Sequence, residues 1–134
     1  MAFIFENRKG PGKSLGDQPQ KPAVRITRHN EGEKSRNRIR LYFAFTPEGV
    51  KIARWILGDK IVVGCDPQNN MLCFKRDQTN GYTISGGAFQ KGKGNASFQI
   101  STSEDSSLWK MLVHKLGEWF DLTDDGPMMI ASVE

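Results

Sequence analysis

Two cysteines, two histidines and no apolar run approaching 18 residues are all that 134 positions offer toward disulfides, histidine chemistry or a membrane span. Without such a run no membrane-crossing helix can be written. The opening MAFIFENRKGPG has neither a long apolar core nor a cleavage site, so a soluble, unexported, cytoplasmic protein with no membrane partner is expected. Cys65 and Cys73 match neither CxxC nor a zinc-ligand spacing, which leaves small buried thiols in a reducing compartment. His29 and His114 stand far apart, and GxSxG, HExxH and P-loop patterns are missing. Asp124 and Asp125 read as part of a turn across Asp124-Asp125-Gly126, not as an oxygen cage for a metal ion. No catalytic residue, metal site or cofactor is expected, and the chain is read as a non-enzyme.

What the chain does have is unevenly placed charge. Residues 1–60 hold 13 Lys or Arg against 6 Asp or Glu, and residues 61–134 hold 6 against 9. A net charge of +4 divided in this way predicts one basic face, and a basic face suits a polyanion.

The most regular stretch runs from Arg38 to Asp66. Ile39, Leu41, Phe43 and Phe45 alternate with Arg38, Arg40, Tyr42 and Ala44, the period of a half-buried strand. Thr46 is an N-cap residue and Pro47 falls at the first helical position. Val50, Ala53 and Leu57 keep helical spacing, and Gly58 stops the helix. Lys60 to Cys65 and Met71 to Arg76 then form a hairpin across Asp66-Pro67-Gln68-Asn69-Asn70. A short strand is predicted over 23–28 and a polar loop over 29–37. Residues 1–22 carry Gly10, Pro11, Gly12, Gly16, Pro19 and Pro22 and read as a flexible N-terminal arm. Within it Phe3, Ile4 and Phe5 either add an edge strand or stay loose.

The same unit returns 59 positions later. Thr46 falls on Asp105 as helix cap and Gly58 on Gly117 as helix stop. Ile39 and Leu41 fall on Phe98 and Ile100, Val50 on Trp109, Ala53 on Leu112, Leu57 on Leu116, and Ile61 and Val63 on Phe120 and Leu122. The second unit reads as a strand over 82–85, a basic loop over 86–94, a strand over 96–101, a helix from Asp105 through Leu116 and a closing hairpin. The expected fold is a single α+β domain, 23–134, of two β-strand–helix–β-hairpin repeats, 23–76 and 82–132, packed as a pseudo-two-fold pair.

The residues Arg38-Ile39-Arg40-Leu41, Thr46-Pro47, Leu57-Gly58-Asp59, Ile61-Val62-Val63 and Leu72-Cys73-Phe74 give a chain that resembles the AbrB/MazE-like swapped-hairpin DNA-binding proteins. The resemblance covers about 40 residues of the first unit, and the second unit more faintly. It implies a small barrel of interlaced hairpins, here within one chain, and a role in transcription regulation. It also implies DNA contact through Arg38 and Arg40. Their counterparts Ser97 and Gln99 carry no charge. Either one half alone meets nucleic acid or the scaffold serves another partner.

Independently of that resemblance, Arg25, Arg28, Lys34, Arg36, Arg38 and Arg40 form a cluster whose guanidinium groups suit phosphates through charge and paired donors. Lys91 and Lys93 stand on the equivalent loop of the second unit, and Tyr42 shares the face of Arg38 and Arg40, where it could stack on bases. Trp55 and Trp119 read as core or subunit-interface residues, and Trp109 joins the apolar stripe of the second helix. Nucleic acid, DNA rather than RNA, is the expected partner. A small protein-binding inhibitor or adaptor of a partner enzyme is the alternative, and a homodimer stays open.

Overall fold

A computed structural model describes residues 18–29, 38–86 and 95–134. In chain order it contains β1 (Ala23–His29), β2 (Arg38–Phe45), α1 (Pro47–Ala53), β3 (Lys60–Asp66), β4 (Met71–Arg76), β5 (Tyr82–Thr83), β6 (Ala96–Ser103), α2 (Ser107–Leu112), β7 (Trp119–Asp125) and β8 (Met128–Ser132). The alternation of RIRLYFAF is realised in β2, where Ile39, Leu41, Phe43 and Phe45 are all buried. β1 and β6 flank β2, with Val24 opposite Phe45 and Ile100 opposite Leu41.

Every strand pair is antiparallel, and the order is β5-β3-β4-β8-β7-β1-β2-β6. The two ends of this sheet meet at one bridge. Ser85 N donates to Ser97 O at 2.8 Å and Ser97 N to Ser85 O at 2.7 Å. The eight strands therefore make a nearly closed barrel with two short helices, a more β-rich body than the α+β label suggests. The hairpin β3–β4 lies between β5 and β8, and the hairpin β7–β8 lies between β1 and β4. Two further bonds tie early and late chain together: Gly58 N to Ile84 O at 2.9 Å, and Gly117 N to Ile26 O at 2.8 Å.

The barrel interior is aromatic. Phe45 contacts Phe74 and Trp55 edge-on with centroids 5.2 Å apart in both pairs, and Phe43 stacks on Phe98 at 5.2 Å. Offset and edge-to-face pairs of this kind add about 0.5–1.5 kcal/mol each beyond simple burial.

Several boundaries differ from the sequence expectation. α1 ends at Ala53, not Leu57, because Arg54 adopts a left-handed conformation (φ 62°). That reversal swings Trp55 into the core, 6 % exposed, against Phe45. α2 likewise stops at Leu112, which is fully buried, and the chain turns so that Gly117 (φ 89°) reaches β1. The second cap is Ser106 and not Asp105. Ser106 Oγ accepts from Trp109 N at 3.1 Å and from the Thr102 hydroxyl at 2.6 Å, so a β6 side chain selects between two good cap residues. Asp124 and Asp125 belong to β7, leaving Gly126 and Pro127 as the final turn. The last residues of the expected arm, Gln18 to Pro22, are tied down: Asn95 Nδ2 donates to Gln18 Oε1 at 2.5 Å, and Leu122 N donates to Pro22 O at 3.0 Å. The other residues of that arm, with Phe3, Ile4 and Phe5, lie outside the described residues.

Asp59, which the sequence marks only as the residue after the helix-stopping Gly58, is a buried anchor. Its carboxylate accepts from Ile56 N at 2.9 Å and Gln78 Nε2 at 3.2 Å, and pairs with Arg76 Nε at 3.2 Å. Arg76 in turn donates to the Arg54 carbonyl at 2.6 Å. The segment after α1 is thereby clamped to β4.

Candidate nucleic-acid interface

Because side chains alternate along a strand, inward Phe43 and Ile26 fix what points outward. On β2 the outward set is Arg38, Arg40, Tyr42 and Ala44. The cross-strand register places Ser103, Ser101, Gln99 and Ser97 of β6 beside them in that order. On β1 the outward set is Arg25, Thr27 and His29, with His29 opposite Arg40 and Arg25 opposite Ala44. Three adjacent strands thus present one polar, basic surface. Their 23 residues include Arg25, Arg28, His29, Arg38 and Arg40 and no Asp or Glu.

The arginines are held in different ways. Arg38 is exposed at the end of β2, and Arg40 is half-buried beside it. Arg25 stands opposite Trp119 of β7, and its guanidinium lies 4.9 Å from that ring. Its Nε is buried with no hydrogen-bond partner. Arg28 turns to the barrel end, where its guanidinium lies 5.3 Å from the ring of Trp109 on α2. Stacking of this kind orients the planar group while leaving outer N–H donors for an anion. Tyr42 is half-buried, and its hydroxyl accepts from Ser97 Oγ at 2.9 Å, so its ring leans across β6.

The structure therefore gathers Arg25, Arg28, Arg38, Arg40 and Tyr42 around one sheet. Lys34, Arg36, Lys91 and Lys93 lie outside the described residues. Their loops leave from opposite ends of the β2–β6 ribbon: residues 30–37 join at Arg38, and residues 87–94 join ahead of Ala96, the partner of Phe45. Eight-residue strands separate these attachment points by about 24 Å. Trp109 and Trp119 are half-buried and each supports an arginine, and Trp109 also packs against the core with the rest of its helical stripe. No local sequence pattern signals that role, since each pair joins segments more than 80 residues apart.

The remaining long strands have different chemistry. β3, β4, β7 and β8 carry Asp66, Asp121, Asp124 and Asp125 along with Lys60, Lys75 and Arg76. Cys65 and Cys73 are both free and half-buried there. Burial, then the neighbouring Cys73 and Asp66, pushes the Cys65 thiol up from its ordinary range. Among the described residues no group of three His, Cys, Asp or Glu is arranged to hold a metal ion, and no helix is long and apolar enough to cross a membrane. Comparison with family models, curated proteins and solved structures gave no match.

Proposed function

We propose that the protein is a non-enzymatic nucleic-acid-binding protein, acting on DNA in the cytoplasm as a transcription regulator through the outer face of β1, β2 and β6. The observation that carries this reading is the absence of any acidic side chain from those three strands, set against four arginines and His29. Phosphates provide most of the affinity for such a surface, and guanidinium groups meet them through paired donors.

The proposal includes the internal repeat. Residues 23–76 and 82–132 are two copies of one strand–helix–hairpin unit, interlaced as in the AbrB/MazE-like proteins. Exchange of equivalent strands supports it, because β1 beside β7 corresponds to β5 beside β3, while β2–β6 and β4–β8 map onto themselves. The bonds Gly58–Ile84 and Gly117–Ile26 are likewise counterparts. Only the first copy supplies arginines, for Ser97 and Gln99 replace Arg38 and Arg40 in the second. Contact is accordingly one-sided.

Titration of labelled single-stranded DNA, duplex DNA and RNA, followed by anisotropy between about 50 and 200 mM salt, tests the reading. Binding to DNA that weakens steeply with salt is expected. A protein that leaves all three probes free at the lower salt would refute it and favour the protein-binding alternative.

A further inference from the structure

Across the barrel from the basic face, the outer side of β3, β4 and β8 is apolar where a solvated sheet would be polar. Met71, Cys73, Met128 and Ile130 share it with Gly64 and border an open groove of about 420 Å³. Gly64 stands opposite Cys73, and a Cβ at Gly64 would lie 2.9 Å from Cys73 Sγ, so glycine leaves room for that thiol in the groove floor. The rim is acidic at two corners. Asp66 lines the groove opposite Met71, and Asp125 stands opposite Met128. Lys75, also paired with Met128, and Lys60, exposed on β3 in the register of Gly64 and Asp66, are the cations on this side of the strands, both toward the end away from Asp66. An apolar floor with acid at its corners selects a ligand that has an apolar anchor followed by positive charge. Nucleic acid would meet like charge at Asp66 and Asp125.

The chain contains a segment of that chemistry. Phe3, Ile4 and Phe5 form an apolar triplet, and Arg8, Lys9 and Lys13 follow, against Glu6 as the single acid before Asp17. Gln18 is fixed to Asn95 at the start of β6. The 13 residue-to-residue steps from Phe5 to Gln18 span up to about 43 Å when extended. A domain of this length has a radius of gyration of about 14 Å, so the triplet can reach the far wall. We infer that the N-terminal segment of the same chain docks on the outer face of β3, β4 and β8, with Phe3 to Phe5 in the groove and Arg8 and Lys9 toward its acidic corners. Docking there closes off apolar surface and leaves the basic face clear.

The test uses the full chain with methyl-labelled methionine and isoleucine. Cross-relaxation from phenylalanine ring protons to the methyls of Met71, Met128 and Ile130 is expected in the wild type. It should vanish in Phe3→Ala with Phe5→Ala, with shifts moving at those methyls while the inward Met129 stays in place. Asp125→Lys should weaken the same cross-peaks without abolishing them. Groove methyl shifts that are unchanged by the Phe3→Ala and Phe5→Ala pair would overturn the inference. So would cross-peaks seen only between differently labelled chains in a dimer, which would assign the groove to the segment of a second copy.

Discussion

The Thr46 hydroxyl accepts from Ala23 N at 3.0 Å and Gly49 N at 3.1 Å and donates to Lys21 O at 2.8 Å, with the residue fully buried. One side chain thus caps α1 and pins the start of β1. Thr46→Val keeps the shape but strands two amides and a carbonyl, and each buried unsatisfied group costs about 1–3 kcal/mol. A loss of about 3 kcal/mol in urea unfolding is expected. Ser106→Ala, at the less buried second cap, should cost about 1 kcal/mol. Cys65 gives a pH prediction. Its native thiol is raised, mainly by burial, so the folded state keeps a proton that the unfolded chain releases above about pH 8.5. Stability should therefore fall as pH rises through that range. Cys65→Ser should flatten the alkaline decline, and an identical decline in the variant would show that Cys65 is not its source.

At the scale of elements, closure of the barrel depends on β5, which is two residues long. A Cβ at Gly81 would lie 2.5 Å from Lys60 C, 2.6 Å from Ile61 N and 2.7 Å from Asp77 O. All three are backbone atoms, so Gly81→Ala must push β5 away from β3 and should cost more than the usual 1–3 kcal/mol of overpacking, roughly 3 kcal/mol or above. The preceding turn is set by Asp77, whose carboxylate accepts from Thr79 N and Asn80 N, each at 3.0 Å. Those bonds, that of Asn80 first, hold its carboxyl below the usual range. Phe74→Ala, at the meeting point of the ring cluster, should cost about 3–5 kcal/mol. Thermal or urea unfolding of both variants checks these values.

The same elements show what a sequence discloses. The alternation around Phe43, the cap at Thr46 and the hairpin turn before Met71 are local, and all appear where the pattern puts them. Helix ends are less legible. Arg54 has good helical propensity, yet burying Trp55 against Phe45 requires a left-handed residue there. Asp105 and Ser106 cap equally well by type, and the Thr102 hydroxyl decides between them. Of the candidate interface, Arg38, Arg40 and Tyr42 are readable from strand alternation. The seats of Arg25 and Arg28 on Trp119 and Trp109 are not, because they depend on which distant segments become neighbours.

As a whole molecule the barrel is divided by charge. The arginine-bearing strands β1, β2 and β6 have no acid, whereas β3, β4, β7 and β8 carry four aspartates beside Lys60, Lys75 and Arg76. One of those aspartates, Asp121, stands next to β1 and pairs with Lys21 at 2.8 Å. That division, more than the overall +4, is what the proposed function rests on, since a polyanion responds to local potential. The most direct measurement is the salt dependence of DNA affinity for three proteins: wild type, Arg38→Ala with Arg40→Ala, and Ser97→Ala with Gln99→Ala. The arginine variant should stay folded and bind every sequence more weakly. Its log–log salt slope should be lower by about one unit for each duplex phosphate that the missing guanidinium groups neutralise. The serine–glutamine variant should match wild type. An arginine variant that is folded and binds with the wild-type slope would contradict the assignment of this face to nucleic acid.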